Sequence, residues 1–440
     1  MVCMTKLEEI IALCKRRGFV YPTSDIYGGI GGFYDLGPQG VALAKNIKEA
    51  WWKEMVTSRD DVVGLDSSII LNPKTWEASG HVAAFTDPLI ECKVCHSRLR
   101  ADQEDEIAAH IASHKAKGEK DVTFTEPRQF NLLFKTFVGP VEDSKSVAYL
   151  RGETCQGIFS NFDNVMTSNR VKIPFGIAQI GKAFRNEVTP GKFLFRVREF
   201  EQMELEYFVE PKDAETAFAM WKEKRMAWHL SLGISKENIR FRQHDTTERA
   251  HYAADSWDIE YNFPEWGFKE LEGIANRTDY DLKTHSKWSG KELKVTNQEA
   301  KESYYPYVIE PSVGVTRLML ALLFEAFTKD GDRAVLKLKP SLAPFMVAVF
   351  PLLPNKPELV TKAREVYQML KSVFPTTWDD RGNIGKRYLA QDEIGTPWCV
   401  TIDFTTLEDG AVTIRNRDTT KQERIQVSSL IDYIHTNKQL

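Results

Sequence analysis

Hydrophobic and polar positions follow two periods along this chain. Helical spacing is present over residues 5–17, 41–56, 213–232 and from Gly314 onward. Strand-like alternation is present over 127–139, 183–208 and 257–274. These elements predict a fold of mixed helices and strands.

The hairpin predicted at 183–208 carries charge on a face that a purely structural strand would leave apolar. We place Arg185, Asn186 and Glu187 in its first strand, followed by a turn and a second strand with alternating charges. A strand face that only packs into a core is rich in Val, Ile and Leu. This face is instead expected to bind a ligand that is polar, charged and flat.

A different pattern begins near Pro340. Beyond it, strand-like segments such as MVAVFPL and WCVTIDF alternate with a helix predicted over 357–373. This alternation predicts a small α/β domain. We therefore divide the chain into residues 1–338 and 339–440.

Composition narrows the class of protein. The 440 residues carry a net charge of −4, so any nucleic-acid contact must come from local patches. No run of 18 or more apolar residues exists, and the N-terminal segment lacks the apolar core of a signal peptide. We expect no membrane association. Six cysteines without a disulfide framework favour the reducing cytoplasm.

The loop 23–40 contains six glycines. A glycine-rich loop can bind phosphate, but the Lys and Ser/Thr of a P-loop are missing here. A tight connection between two strands is therefore the favoured interpretation.

Residues 91–120 form a segment that we interpret as an insertion. Cys92 and Cys95 are followed by His110 and His114, a spacing within the range of zinc fingers. The two histidines lie one turn apart on a helix predicted over 102–117, so both face one side. The sequence leaves two interpretations open: a structural Zn²⁺ site, or a solvated charged helix beside two reduced thiols.

Arg185, Arg196 and Arg317 suggest phosphate binding. A guanidinium group matches two phosphate oxygens at once. Two of these arginines lie in the predicted hairpin, and the third opens an apolar helix after a glycine. Together they favour a nucleotide ligand over three unrelated surface ion pairs.

The hairpin and the later EPSVGVTR resemble motifs 2 and 3 of class II aminoacyl-tRNA synthetases. Seven segments in order resemble dimeric glycyl-tRNA synthetases over nearly the whole chain: GGFYDLGPQG, TEPRQFNLLFKTF, ETCQGIF, PGKFLFRVREFEQMELEYF, GIANRTDYDL, EPSVGVTR and RYLAQDEIGTPWCVTIDF. The resemblance implies an α+β catalytic domain with a large antiparallel sheet. It also implies a C-terminal α/β anticodon-binding domain and a homodimer.

The resemblance further implies which residues bind ATP and Mg²⁺. Arg185 and Arg317 would be catalytic, with Arg185 on the α-phosphate. Phe200 would stack on adenine, Arg317 would cover the other face of the ring, and Glu270 would lie near the Mg²⁺ ions. The implied ATP-binding set is Arg185, Asn186, Glu187, Phe195, Arg196, Phe200, Glu270, Leu271, Gly314 and Arg317.

Glycine has no side chain, so its recognition must rest on binding the ammonium and excluding a β-carbon. Acidic side chains are the natural partners of an ammonium group. The resemblance implies the set Arg100, Glu153, Phe200, Gln202, Glu204, Glu310 and Ser312, with Arg100 helping to close the pocket.

The implied function is ATP-dependent activation of glycine and its transfer to tRNA(Gly). For the anticodon-binding domain, the resemblance points to Arg381, Asn383, Lys386, Arg387 and the run 392–397. Two alternatives remain open: another class II synthetase, for serine, threonine or proline, and a catalytically inactive relative that binds RNA.

Two departures from the family pattern stand out. The usual RPETAQGIF is RGETCQGIF here, with Gly152 for proline and Cys155 for alanine. Many bacterial members also carry a second CxxC before the TEPR segment, which this chain lacks. The second departure argues against a four-cysteine zinc site.

Overall fold

A computed structural model describes residues 4–119, 121–245, 253–297 and 301–437. The helices are α1 Lys6–Arg17, α2 Pro38–Trp52, α3 Pro73–Ala78, α4 His81–Ala84, α5 Glu104–Ala116, α6 Cys155–Ser160, α7 Phe162–Asn169, α8 Ala214–Ser231, α9 Tyr280–Ser289, α10 Val315–Ala326, α11 Pro357–Lys371, α12 Ile384–Ile394, α13 Phe404–Asp409 and α14 Leu430–Asn437.

The strands form one large sheet, a second sheet near the C-terminus and several small ones. They are β1 Val20–Pro22, β2 Tyr34–Leu36, β3 Val62–Gly64, β4 Thr86–Glu91, β5 Arg98–Arg100, β6 Arg128–Asn131, β7 Phe134–Phe137, β8 Val147–Leu150, β9 Phe175–Phe184, β10 Glu199–Val209, β11 Ile239–Gln243, β12 Asp255–Phe263, β13 Gly267–Thr278, β14 Val295–Asn297, β15 Glu302–Tyr304, β16 Tyr307–Gly314, β17 Phe327–Asp330, β18 Arg333–Leu336, β19 Val347–Pro351, β20 Thr376–Trp378, β21 Trp398–Ile402, β22 Ala411–Asn416 and β23 Gln422–Gln426.

The large sheet has seven strands in the order β11-β12-β13-β16-β10-β9-β3. All neighbours are antiparallel except β3 and β9. The predicted α+β fold with a large antiparallel sheet is therefore confirmed. Strands β9 and β10 pair over their full length, with Phe200 opposite Ala183 and Glu204 opposite Gln179.

Helices α8 and α10 cover one face of this sheet. Helix α10 is apolar on almost every side and is buried among α2, α1 and the sheet. From α8, Arg225 and His229 reach Glu272 on β13, with Nε–Oε1 and Nε2–Oε2 distances of 2.6 Å each. All three side chains are completely buried, so the charges of Arg225 and Glu272 depend on each other.

Glu272 fixes the position of β13, a strand that also has residues pointing to the opposite face of the sheet. Burial alone would raise the pKa of Glu272, but Arg225 and His229 lower it to about 2. The Glu272 carboxylate therefore stays ionised at neutral pH, although it is buried between β13 and α8. This fixes β13 against α8 and leaves its other face available to form a site.

The C-terminal sheet has the order β20-β19-β21-β22-β23 and its own apolar core. Strands β20, β19 and β21 are parallel, and β22 and β23 are antiparallel additions. Helices α11, α12 and α14 flank the sheet, as the alternating pattern predicted for a small α/β domain.

Charged contacts join this region to the rest of the chain. Asp392 on α12 accepts hydrogen bonds from Arg415 and from Arg333 on β18. The next residue, Glu393, binds Arg16 and Arg17 at the end of α1. Asp392 and Glu393 of the predicted RNA-binding run 392–397 therefore hold the two regions together.

Several predicted boundaries need correction. Strand β9 ends at Phe184, so Arg185, Asn186 and Glu187 follow the strand instead of lying in it. The predicted helix 41–56 begins earlier and ends at Trp52, where a short π-helical turn follows. The glycine-rich loop joins the paired strands β1 and β2, which agrees with the favoured interpretation. Among the described residues, no helix has the length and apolar character needed to cross a bilayer.

Candidate active site

One cavity on the open face of the large sheet collects most of the predicted site residues. Its walls are Glu153, Arg185, Glu187, Phe195, Arg196, Val197, Phe200, Gln202, Glu204, Glu270, Leu271, Gly273, Glu310, Ser312, Gly314, Thr316 and Arg317. Strand β10 supplies Phe200, Gln202 and Glu204 because alternate side chains point to the same face. The intervening Glu201 points to the other face, where Lys48 binds it at 2.8 Å.

Two predicted residues do not line this cavity. Arg100 is bound to Asp87 at 2.8 Å and to Asp102 at 2.6 Å. The backbone N–H of Asn186 donates to Leu132, and the Asn186 side chain is not part of the cavity wall. Val197, Gly273 and Thr316 also line the cavity, although the sequence did not lead us to assign them to the site. Their signal was their position within the quoted motif segments, beside predicted residues.

Cationic and aromatic side chains dominate one end of the cavity. The guanidinium of Arg185 lies between the rings of Phe85 and Phe200, 5.3 and 5.5 Å from their centres. Its Nε donates to the carbonyl of Gly152 at 3.1 Å. This packing fixes the group in one orientation while a cation remains on the cavity wall.

Arg317 lies at the first turn of α10, facing the same end. Its guanidinium covers the ring of Phe195 at 4.6 Å and binds Glu270 Oε2 at 3.1 Å. The ion pair with Arg317 lowers the pKa of Glu270. Arg317, the ionised Glu270 and the backbone of β13 thus meet at the cavity mouth.

Carboxyl groups line the other end. Burial alone would raise the pKa of Glu153, but His81 and Arg277 hold it well below its usual range. The Cys155 thiol and the Gln156 amide each donate to Glu153 Oε1 at 2.9 Å. The cysteine that departs from the family pattern therefore supports the glutamate instead of displacing it.

Glu204 is held by four donors. The Thr154 N–H donates to Oε2 at 2.9 Å, and the Thr154 hydroxyl binds the same oxygen. Gln202 and Ser312 donate to Oε1 at 2.9 and 2.7 Å. Burial, with the charge of Glu153, still raises the pKa of Glu204.

Glu310 is paired with Arg277, a residue that the sequence analysis did not assign to the site. Arg277 Nη1 donates to Glu310 Oε2 at 2.9 Å, and the other side of the guanidinium binds Asp281. Arg277 occurs in the quoted segment GIANRTDYDL, which was a usable signal.

Two buried acceptors in the cavity have no donor among the described residues: Glu187 Oε2 and Gln202 Oε1. Glu187 lies toward the arginine end and Gln202 toward the acidic end. Buried polar atoms normally have hydrogen-bond partners. The two acceptors therefore suit a ligand that donates hydrogen bonds at both ends.

The inserted segment brings its four predicted metal ligands together. One ligand atom from each of Cys92, Cys95, His110 and His114 lies within 4.8 Å of the others. The measured separations include 3.5 Å for Cys95 Sγ–His110 Nε2, 3.8 Å for Cys92 Sγ–His114 Nε2 and 3.1 Å between the two Nε2 atoms. Tetrahedral Zn²⁺ bonds give N–S and N–N separations of roughly 3.3–3.6 Å, and the measured separations lie in this range or about 0.2 Å outside it.

A further carboxylate supports this cluster. Glu119 binds Nδ1 of His114 and so directs Nε2 toward the thiols. Metal-binding histidines commonly have such a partner on the other ring nitrogen. The residues present therefore fit a Cys₂His₂ zinc site.

Comparison with known proteins decides the family. Residues 136–326 match the family "tRNA synthetase class II core domain (G, H, P, S and T)", and residues 346–437 match "Anticodon binding domain". The glycine–tRNA ligase of Streptomyces coelicolor is 52% identical, over 98% of each chain. Those of Thermobifida fusca and Borreliella burgdorferi are both 51% identical, over 97% and 98% of each chain.

The chain belongs to the glycine–tRNA ligase family. The predicted enzyme class and fold are therefore confirmed, and the inactive and non-glycine alternatives lose their basis at the level of family. In this family member, the match 346–437 covers the separate C-terminal sheet.

The C-terminal residues predicted to read tRNA have different environments. Arg381 is 92% exposed. Lys386 is exposed, and Asn383 caps α12 by accepting a hydrogen bond from the Lys386 N–H. Arg387 is buried and donates to the carbonyls of Pro351 and Leu352. Arg387 therefore has a structural role in this fold, and the prediction that its side chain contacts RNA is wrong.

Proposed function

We propose that the cavity binds ATP at its arginine end and glycine at its acidic end. The glycine carboxylate attacks the α-phosphate to form glycyl-adenylate, and pyrophosphate leaves. The glycyl group is then transferred to the 3′ end of tRNA(Gly). One observation carries this proposal: the predicted ATP and glycine residues converge on a single cavity with cations at one end and carboxyl groups at the other.

In the ATP half, Arg185 is suited to the α-phosphate because its guanidinium is fixed between two rings. A preorganised cation stabilises the charge that develops on the phosphate oxygens without moving during the reaction. Arg317 and Arg196 supply charge for the outer phosphates. Phe200 offers a ring face for adenine, and Glu187 Oε2 is an acceptor for an amino group.

Mg²⁺ is expected as the partner of ATP. Glu270 is half-exposed at the cavity mouth, and its pKa is lowered by Arg317, so it presents the ionised oxygen ligand that Mg²⁺ prefers. When bound, the ion would neutralise phosphate charge. The protein's own contribution is to hold the reacting groups in place, since the glycine carboxylate is itself the nucleophile.

In the glycine half, Glu153, Glu204 and Glu310 surround a space suited to an ammonium group. Gln202 Oε1 is a further acceptor without a donor among the described residues. Ser312 and Thr154 hold Glu204 in place. A larger amino acid is excluded by contact with this fixed wall, which discriminates more strongly than the loss of one methylene, worth about 1–3 kcal/mol.

ATP–pyrophosphate exchange with a panel of amino acids tests the proposal. Wild-type protein should exchange with glycine alone. Glu153→Gln and Glu310→Gln should each greatly reduce the rate of this exchange. Both variants should keep a melting temperature close to that of wild type. Exchange with serine, threonine or proline would favour another synthetase, and no exchange would favour an inactive relative. An unchanged exchange rate in both variants would refute the assigned glycine site.

Arg100 and Asn186 belong to the proposed site by resemblance, but neither lines the cavity. Arg100 lies beside Asp87 and Asp102, and could take part only if it left these carboxylates when substrate binds. Asn186 follows Arg185 in a segment tied by backbone hydrogen bonds. Alanine variants of both, assayed for KM of glycine and of ATP, decide their roles.

We also infer that the inserted segment holds structural Zn²⁺. The convergence of two thiols and two imidazoles, with Glu119 behind His114, supports this inference. Metal analysis of the purified protein should find about one equivalent of zinc per chain. Cys95→Ser should lose the metal, whereas Ser97→Ala, next to the cluster, should retain it. Less than about half an equivalent in wild type would contradict the site.

The remaining predictions belong to the same proposal. We propose a division at residues 338/339, tRNA(Gly) binding by the C-terminal domain and function in the reducing cytoplasm. We also propose a homodimer. The exposed Ile26, Tyr27 and Ile30 support a contact between two copies, because large apolar side chains rarely stay so open. Analytical ultracentrifugation of wild type and of Ile26→Asp tests the dimer.

A further inference from the structure

A fourth glutamate lies buried beside the proposed glycine pocket. Glu206 on β10 follows Glu204 by two residues, so both side chains point to the same face of the sheet. Glu206 is completely buried and does not line the cavity, whereas Glu204 and Glu310 do. It therefore lies next to the groups proposed to contact glycine, outside the cavity wall.

The surroundings of Glu206 are short of positive charge. Glu310 approaches from β16, Cys155 from α6, Arg277 from β13 and Glu204 from the same strand. One carboxyl oxygen each of Glu206 and Glu310 lies within 4.8 Å of the other and of the Cys155 sulfur. The only guanidinium among these groups, Arg277, is already shared between Glu310 and Asp281.

No described residue donates a hydrogen bond to either carboxyl oxygen of Glu206. A buried carboxylate without donors is strongly disfavoured, whereas a protonated carboxyl can itself donate. The neighbouring carboxylate of Glu310 is the acceptor in reach. Burial, with the charge of Glu310, raises the pKa of Glu206 well above its usual range.

We propose that Glu206 is a positioning residue: it stays protonated at neutral pH and donates its proton as a hydrogen bond to Glu310. This bond and the ion pair with Arg277 fix the Glu310 carboxylate from two sides. The remaining lone pairs of Glu310 then face the ammonium group of glycine. The pocket thereby presents a defined number of charges, although it is built from four glutamates.

This inference rests on the proposed placement of glycine, and the two can fail separately. The experiment measures KM for glycine and KM for ATP in pyrophosphate exchange by the full-length protein. The variants are Glu206→Gln, Glu206→Leu and Glu310→Gln. Glu201→Gln is the matched control, because Glu201 lies on the same strand and points to the opposite face.

Glu206→Gln keeps a neutral donor, so its KM for glycine should stay within about threefold of wild type. Glu206→Leu removes a hydrogen bond to a charged group, which should raise KM for glycine by about tenfold or more and leave KM for ATP within about threefold. Rescue by glutamine distinguishes positioning from a general packing defect, and thermal unfolding verifies that each variant is folded.

Four results would overturn the inference. A rise in KM for glycine in Glu206→Gln as large as in Glu310→Gln would mean that Glu206 is an ionised ligand. An unchanged KM in Glu206→Leu would remove any positioning role, and a parallel rise in both KM values would indicate a structural one. If Glu310→Gln itself leaves KM for glycine unchanged, the proposed glycine site fails and this inference fails with it.

Discussion

At the scale of single residues, the acidic end of the cavity depends on how each carboxyl group is supported. Glu153 receives donors and a nearby imidazole, Glu204 receives four hydrogen bonds, and Glu310 has Arg277. Burial favours the neutral form of a carboxyl group, whereas donors and cations favour the charged form. The balance differs from one glutamate to the next, so they titrate over different ranges.

Glu310 gives the clearest pH prediction. Burial raises its pKa to about 7, against the lowering by Arg277, and Glu204 and Glu153 add to the rise. Because Glu310 is charged only above this pKa, it attracts the glycine ammonium less as pH falls. KM for glycine should be about tenfold higher at pH 6 than at pH 8.

Measurement of both KM values by pyrophosphate exchange across this range verifies the prediction. KM for ATP is the internal control, since Glu310 lies away from the arginine end. A flat KM for glycine between pH 6 and pH 8 would contradict it.

At the scale of elements, helix α6 shapes the pocket from behind. Thr154, just before the helix, donates to Glu204, and Cys155 donates to Glu153. The helix lies very close to Ser67: a Cβ on Gly157 would be 2.0 Å from Ser67 Oγ and 2.7 Å from Ser67 Cβ. Only glycine permits this approach, so the sequence GETCQGIF specifies both the ligands and their distance from the sheet.

Gly157→Ala should therefore move α6 away from its position. Overpacking of this kind costs about 1–3 kcal/mol of unfolding free energy. We expect a lower melting temperature and a larger rise in KM for glycine than in KM for ATP.

The control is Gly385→Ala, also in a helix, where the nearest atom is Asn383 Oδ1 at an ordinary 3.5 Å. That variant should have the melting temperature of wild type or a slightly higher one. A second change, Ser67→Gly, should partly restore Gly157→Ala by removing the clashing atoms. Wild-type stability of Gly157→Ala alone would contradict the prediction.

At the scale of the whole molecule, charged contacts at α12 join the C-terminal region to the rest of the chain. Asp392 and Glu393 bind Arg333, Arg16 and Arg17 of the larger region. Arg381 and Lys386 lie at the N-terminal end of the same helix, Arg381 just before it and Lys386 in its first turn. Both side chains are exposed. One helix thus combines a structural end with an end available to contact tRNA.

Substitutions along this helix should separate the two roles. The double variant Arg381→Ala and Lys386→Ala should unfold like wild type and activate glycine normally. It should charge tRNA roughly tenfold less efficiently, because two phosphate contacts are lost. Aminoacylation assays with tRNA(Gly) give the measurement.

Arg387→Ala is the contrasting variant. It removes the hydrogen bonds that Arg387 donates to the carbonyls of Pro351 and Leu352 in the C-terminal domain, the first of them buried. Its melting temperature should fall. For the double variant, charging of tRNA(Gly) at the wild-type rate would exclude Arg381 and Lys386 from the tRNA contact.

The sequence predicted the site best where a ligand-binding role coincides with strand periodicity. Phe200, Gln202 and Glu204 alternate along β10, so their spacing alone indicates a shared polar face. Arg185 lines the cavity but follows β9 instead of lying in it, because β-propensity does not indicate where pairing stops. Arg100 was assigned by resemblance alone, and the local carboxylates of Asp87 and Asp102 hold it elsewhere.

The sequence by itself determined the family, the large antiparallel sheet, the separate C-terminal α/β region and the residue types of the cavity. These follow from local periodicity and from ordered motifs, which are properties of neighbours in the chain. Only the tertiary structure decided that Arg277 supports Glu310, that Glu206 is buried beside the pocket without a donor among the described residues and that Arg387 is buried. Each of these depends on contacts between distant segments, since burial and the proximity of charges are set by packing and not by the order of residues.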